Sequence, residues 1–390
     1  MSFFALALIA VVALAGPLLA LPRRWHLPVM LGELLAGIVI GRTGLALVDA
    51  ADPTFALLAD IGFALIMFVA GTHVPVGDAT LRSALGQGSL RAGVAAVLAA
   101  VVGTGIALTF ATGHAPLYVV LLASSSAAMV LPIVDSLRLG GPQVLAMTAQ
   151  VAIADTVCIV ALPLAVDPLG AGRAALGALA VAVCAVVLFF ALRWLERTGT
   201  RARLHAVSEA RKFALELRIQ LAVLFALAGL AVFSHVSIML AGFSFGLVVA
   251  AVGEPRRLAH QLFAVSDGFL GPLFFVWLGS SLNLRDLATH PQMVLLGLSL
   301  GGGALLVHVA LRTIGLPVPL GVLAAAQLGV PVGAATIGTQ LQLLLPGEAA
   351  ALILGALITI ASSAFAGSRA SARFTRPAGN VHQPKHPPAH

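Results

Sequence analysis

The sequence predicts an all-α membrane protein with about thirteen transmembrane helices, arranged as two inverted six-helix repeats. Three observations carry this. Of 390 residues, 60% are hydrophobic and 9% charged, with a mean hydropathy of +1.05, so nearly every stretch between turn signals is an apolar run of membrane-spanning length. The basic residues fall on one side of those runs. And segments of the first half recur, in the same order, seven spans later.

The spans are 3–21, 27–41, 55–72, 90–112, 116–137, 144–166, 174–195, 215–234, 237–253, 268–284, 292–314, 317–345 and 348–367. The first has no basic residue ahead of it and Arg23 and Arg24 behind it. That reverses the charge order of a secretory signal, so it reads as a retained helix with its N-terminus outside. On that topology 19 of the 22 Lys and Arg residues are cytoplasmic and only Arg42, Arg173 and Arg285 are outside, as expected when basic loops stay in the cytoplasm. The formal charge of +7 is thereby assigned to membrane topology; nucleic acid binding would need a basic face on a soluble fold. Cys158 and Cys184 lie inside apolar runs, far apart, and read as small packing residues. Residues 1–370 form the transmembrane domain, and the Pro- and His-rich segment 371–390 reads as a disordered cytoplasmic tail.

The longest polar segment, Arg193 to Arg218, leaves six spans before helix 7 and six after it. MLGELLAGIVIG from Met30 is echoed by MLAGFSFGLVVA from Met239, and ADIGFALIMFVAG from Ala59 by SDGFLGPLFFVWLG from Ser266. An odd number of spans between the copies inverts one relative to the other in the membrane. The same offset pairs helix 5, with Ser124, Ser125 and Ser126 ahead of Pro132, with helix 12, with Gly329, Pro331, Gly333 and Gly338. Both are predicted to be broken, exposing backbone amides and carbonyls at a binding site near mid-membrane.

Among the acidic residues, Asp155 alone lies at the centre of a span. Burying it ionised costs about 2.5–3.5 kcal/mol on insertion scales. No Lys or Arg is placed at the middle of any predicted span, so its partner is expected to be mobile: a proton or a small cation. Protonated, the group is neutral and tolerates a dry site; ionised, it holds a monovalent cation with neighbouring oxygens. Candidate neighbours are Thr148, Thr156, Ser124, Ser125 and Ser126, with Asp155 as the cation ligand and Glu33, Gln327 and His308 as accessory residues.

With these residues in view, the chain resembles the monovalent cation:proton antiporter superfamily, of the bacterial sodium/proton exchanger and potassium-efflux type. The similarity rests on GELLAGIVIGRTGL from Gly32, LADIGFALIMFVAG from Leu58, SSSAAMVLPIVDSLRL from Ser124, IADTVCIV from Ile153 and PLFFVWLGSSLNL from Pro272. The resemblance implies exchange of Na⁺ or K⁺ for protons by alternating access. It also implies a scaffold and homodimer interface from helices 1–3 and 8–10, a moving core from helices 4–6 and 11–13, helix 7 as linker, and a bacterial inner-membrane location. The chain departs from the family in three places. Ala154 stands where an Asp or Asn usually precedes the ion-binding Asp, Gly301 to Gly303 where helix 11 carries a Lys or Arg, and Val330 where helix 12 has a Glu after Gly329. Loss of acid and base together leaves coupling to Asp155 alone and implies an electroneutral cycle. No cofactor, nucleotide or nucleic acid partner is expected; the partners are the cation, the proton and membrane lipid.

Two other classes stay open at this point: an organic-anion carrier on the same architecture, and a non-transporting membrane subunit. An enzyme is not indicated, since no nucleophile has a His and carboxylate in a recognisable arrangement. The topology is tested by cysteine labelling at Ser2 and Ser371 after removal of Cys158 and Cys184. Labelling from opposite sides is expected; labelling from one side would end the thirteen-span reading.

Overall fold

This computed structural model describes residues 1–21, 29–72, 74, 79–199, 215–234, 236–253, 264–282 and 284–374, and among these residues the chain forms thirteen apolar helical stretches. The first stretch is α1 (Phe3–Ala13) and α2 (Ala15–Ala20), bent at Leu14 because Pro17 has no N–H to return to Ala13. There follow α3 (Val29–Ile40), α4 (Pro53–Thr72), α5 (Ala79–Phe110), α6 (Ala115–Ala123), α7 (Ala127–Ser136), α8 (Pro142–Val166) and α9 (Ala171–Arg197). The second half holds α10 (Leu215–Phe233), α11 (Ile238–Val252) and a π-helical turn, Ser266–Leu270, that runs into α12 (Gly271–Ser281). It continues with the short α13 (Leu284–Thr289), α14 (Pro291–Ala310, tightening to a 3₁₀ turn at Leu311–Ile314), α15 (Val318–Ala324), α16 (Gly329–Gln340) and α17 (Glu348–Phe374). Among the described residues ten stretches are long and apolar enough to cross a bilayer, while α3 and α11 are shorter apolar helices.

Glycine sets the packing of the first group. Cβ atoms added at Gly37 and Gly279 would collide with the backbone carbonyls of Val276 and Leu34, so α3 and α12 touch main chain to main chain. Gly242 and Gly246 approach the carbonyls of Ala64 and Phe68 in the same way, bringing α11 against α4. Without a hydrophobic drive between helices in lipid, such close approach supplies the dispersion contact that holds them. The Gly242-x-x-x-Gly246 motif is therefore used within one subunit. Phe63 stacks on Phe274 with ring centroids 4.7 Å apart, adding a contact between α4 and α12. In the second group α5 packs on α6, α8 and α14, and α17 on α14, α15 and α16. Helices α9 and α10 present Leu176, Val183, Phe190, Phe225 and Phe233 outward, as lipid-facing helices do.

Two sequence expectations are corrected here. The fourth span was expected over 90–112, with Arg91 at its cytoplasmic edge, yet α5 starts at Ala79 and carries Arg91 fully buried, 1% exposed. The polar, Gly-containing stretch before Leu90 stays helical because Gly88 lets α5 press on α8, where an added Cβ would lie 2.7 Å from that of Ala149. Arg91 Nη2 donates to Gly315 O at 3.1 Å, so α5 caps the end of α14 at the residue just past its 3₁₀ turn, Gly315, which has the left-handed φ of 84°. The second correction concerns the tail. Helix α17 runs to Phe374, whose carbonyl accepts from Gly140 N at 2.8 Å, and Ala370 is fully buried. Residues 371–374 are therefore helical, and the remainder of the expected tail lies outside the described residues.

This packing predicts different costs for two glycines. Gly246→Leu must displace the Phe68 carbonyl, whereas Gly302 has open space around it and Gly302→Ala meets nothing. Thermal unfolding in detergent should show Gly246→Leu destabilised by about 1–3 kcal/mol or more, the range for overpacking, and Gly302→Ala little changed.

Candidate functional site

Asp155 lies in the middle of α8, 3% exposed. Its Oδ2 accepts a hydrogen bond from Ala127 N at 2.8 Å. Ala127 is the first residue of α7, the second half of the broken fifth span, and the preceding residue, Ser126, makes no side-chain cap bond. A helix start leaves N–H groups without intrahelical partners and carries a partial positive charge. Asp155 therefore caps α7 from another helix, a charge-assisted interaction that a peptide carbonyl in its place would make more weakly. Among the described residues it forms no ion pair with Lys, Arg or His. The carboxylate thus has the partial charge of a half-helix for company and no fixed unit charge.

The break itself is built from Ser124 to Ser126, with Ser124 and Ser126 extended between α6 and α7. Residues Ala325 to Leu328 form the second break, between α15 and α16. Ser125 Oγ donates to Ala324 O at 2.6 Å, joining the two breaks directly. Gln327 ties them again: its Nε2 donates to Leu121 O at 2.6 Å, and its backbone N–H donates to Thr359 Oγ1 at 3.3 Å. His308, fully buried on α14, pairs with Ser125 Oγ through Nε2 at 3.3 Å and with Ala304 O through Nδ1 at 3.0 Å. Of the glycines at the centre of α14, which stand where the resemblance expects a Lys or Arg, Gly301 faces Ile358 and Gly303 faces Leu122, while Gly302 faces open space.

The structure thus brings Asp155, Ser124, Ser125, Ser126, Gln327 and His308 together around the two breaks. Thr148 is buried on the same helix as Asp155 but seven residues away, about 10 Å along the axis, with its hydroxyl donated to Val144 O. Thr156 is half-buried, its hydroxyl donated to Ala152 O. It follows Asp155 directly and so points about 100° away around the helix. Glu33 sits in α3 beside Gly16, outside this cluster: a Cβ on Gly16 would lie 2.7 Å from its Cγ. Of the six sequence candidates on α8 and helix 5, Asp155 and the three serines lie at the break, while Thr148 and Thr156 lie away from it and donate to their own helix, as Ser124 Oγ also does to Leu121 O at 2.7 Å.

Besides Asp155 and Glu33, a third buried carboxylate was missed by sequence reading. Glu348, fully buried at the start of α17, receives the Tyr118 hydroxyl at 2.7 Å and the Leu345 N–H at 2.8 Å, and pairs with His114 Nδ1 at 2.7 Å. His114 and Tyr118 begin the first half of the fifth span, so this cluster anchors α6 to α17 near one end of the molecule. The available signal was an acid and a base at the starts of two spans that the predicted topology puts on one side. Gln327→Leu removes a donor shared by Leu121 O and Ser124 O; because Leu121 O keeps the Ser124 N–H and hydroxyl, the expected cost is that of one hydrogen bond, about 0.5–1.5 kcal/mol of stability, read by thermal unfolding, against little for Thr156→Val.

Comparison with known proteins places this arrangement. Residues 8–368 match the family described as sodium/hydrogen exchanger, transmembrane. YjbQ of Bacillus subtilis, named as a candidate Na⁺/H⁺ antiporter, is 25% identical over 385 residues, covering 92% of this chain and 61% of its own length. Na⁺/H⁺ antiporter 3 of Methanocaldococcus jannaschii, also a candidate assignment, is 25% identical over 336 residues, covering 83% of this chain and 85% of its own. The chain thus spans less than two thirds of the length of the first of these relatives. The solved structure of the sodium proton antiporter MjNhaP1 from M. jannaschii at pH 8 shares the fold with a TM-score of 0.67 at 16% identity, covering 95% of this chain and 99% of that one.

Proposed function

Since the chain belongs to the sodium/hydrogen exchanger family, we propose that it exchanges a monovalent cation, Na⁺ or K⁺, for protons by alternating access, with Asp155 holding either in turn. The observation that carries this is Asp155 capping the start of α7 with no fixed cation beside it. The half-helix end offsets part of the cost of an ionised carboxylate. It leaves the rest to be met by a mobile cation or removed by protonation.

Occupancy by one species excludes the other, because a protonated carboxyl has lost the charge that attracts the cation. A single carboxylate alternating between one proton and one monovalent cation moves no net charge per cycle, so the exchange is electroneutral. The hydroxyl and carbonyl oxygens around Ser124 to Ser126 are the neutral ligands nearest to hand. Helices α1–α4 and α10–α12 serve as scaffold and homodimer surface, α5–α8 and α14–α17 as the moving core, and α9 as linker. The two broken spans, joined through Ser125 and Ala324, are read as corresponding elements of inverted repeats, in a bacterial inner membrane with the N-terminus outside. An organic anion as the species held at the break is disfavoured by Asp155 itself, whose charge would repel it.

Asp155→Asn keeps the volume and removes charge and titration together. The variant is expected to fold as stably as the parent in detergent, since a neutral amide costs less to bury, and to lose cation-driven proton flux in proteoliposomes. The parent's apparent cation affinity should weaken as pH falls, because protons then occupy the carboxylate. Full, pH-dependent exchange by well-folded Asp155→Asn protein would remove Asp155 from the mechanism.

A further inference from the structure

A cavity of about 620 Å³ opens where α12 and the turn after α3 meet α16 and the turn into α17. Its size falls in the range of roughly 300–1,000 Å³ typical of small-molecule sites. Its chemistry is unlike that of the break. Among the described residues the lining includes Arg42 and no Asp or Glu. Arg42 is exposed; its backbone N–H bonds Ser280 O, but its guanidinium makes no hydrogen bond or ion pair among the described residues. On the wall, Trp277 is fixed by donation of its indole N–H to Ala50 O at 3.0 Å, which holds a flat apolar surface in place. Thr336, on the opposite wall, has a buried hydroxyl oxygen with no partner, and Thr339 and Gln340 add further polar groups.

A metal cation entering here meets a full positive charge and no carboxylate. A free guanidinium beside a rigid aromatic wall, with neutral donors opposite, recognises the reverse: a carboxylate on a flat apolar body, held by the planar fork of Arg and by stacking. We propose that this cavity is a binding site for an amphipathic monocarboxylate. Its walls come from both helix groups, Arg42 and Trp277 from one and Thr336, Thr339 and Gln340 from the other. An occupant therefore bridges them. If the two groups move against each other, as the proposed exchange cycle requires, the bound carboxylate wedges them in one arrangement and slows exchange.

The test uses the full chain in detergent with Trp25→Phe and Trp194→Phe, so that Trp277 is the remaining indole. The probe is 2-naphthoate, with 2-naphthylmethylammonium as the same apolar body of opposite charge. Saturable change in Trp277 emission with 2-naphthoate is expected, at least tenfold weaker for the ammonium compound. Arg42→Gln should weaken naphthoate binding tenfold or more, and Arg42→Lys should retain part of it. Equal binding of both probes, binding unaffected by Arg42→Gln, or no saturable binding would overturn the site. The wedge is read separately, as inhibition of exchange in proteoliposomes of the parent by naphthoate added on the Arg42 face, lost in Arg42→Gln; binding without such inhibition would overturn the wedge. Absence of any exchange by the parent would count against the exchanger reading, and leaves the binding result to stand or fall alone.

Discussion

The hydrogen bond from Ala127 N to Asp155 is the interaction on which the rest depends. A carboxylate at mid-membrane and a helix that starts at mid-membrane are each costly alone, one for its charge and the other for its bare amides. Placed together they offset each other in part. The offset is incomplete by design of charge: about half a unit on the helix end faces a full unit on the carboxylate. On the exchange proposed above, the remainder would attract a small cation or a proton without holding either permanently.

Keeping two helix ends inside the membrane requires that every freed carbonyl find a donor. Ser125 supplies one to Ala324, and Ser124 supplies two to Leu121, to which Gln327 adds a third from the other break. His308, on the same helix as Gly301 and Gly303, links this crossing to α14 through Ser125. In this chain a neutral hydrogen-bond framework and backbone contact occupy the region where a buried ion pair would need both partners present. The same economy governs the first helix group, in which Gly37, Gly242, Gly246 and Gly279 replace side-chain packing with main-chain contact.

Much of this was legible in the sequence, for reasons that explain what was not. Asp155 stood out because its surroundings are uniformly apolar, and the broken spans because runs of Ser, Gly and Pro interrupt them. The break positions were harder to read. Pro132 lies inside α7, with the break at the serines before it, and Pro331 falls in the first turn of α16, where its missing N–H is not needed. Arg91 was hidden because Gly86 and Gly88 resemble a loop and its partner, Gly315, is 224 residues away. The Glu348 and His114 pair, 234 residues apart, left no local pattern at all. Local composition reports which groups are costly to bury; the contacts that meet those costs are long-range.

The central claim, that proton and cation compete for Asp155, is tested most directly by proton release on cation binding. Purified protein in weakly buffered detergent, with a pH indicator, would be titrated with NaCl and KCl against choline chloride. The account predicts that a proton leaves for each cation bound, with choline without effect, and that Asp155→Asn releases none. Cation binding without proton release, or release that persists in Asp155→Asn, would contradict it.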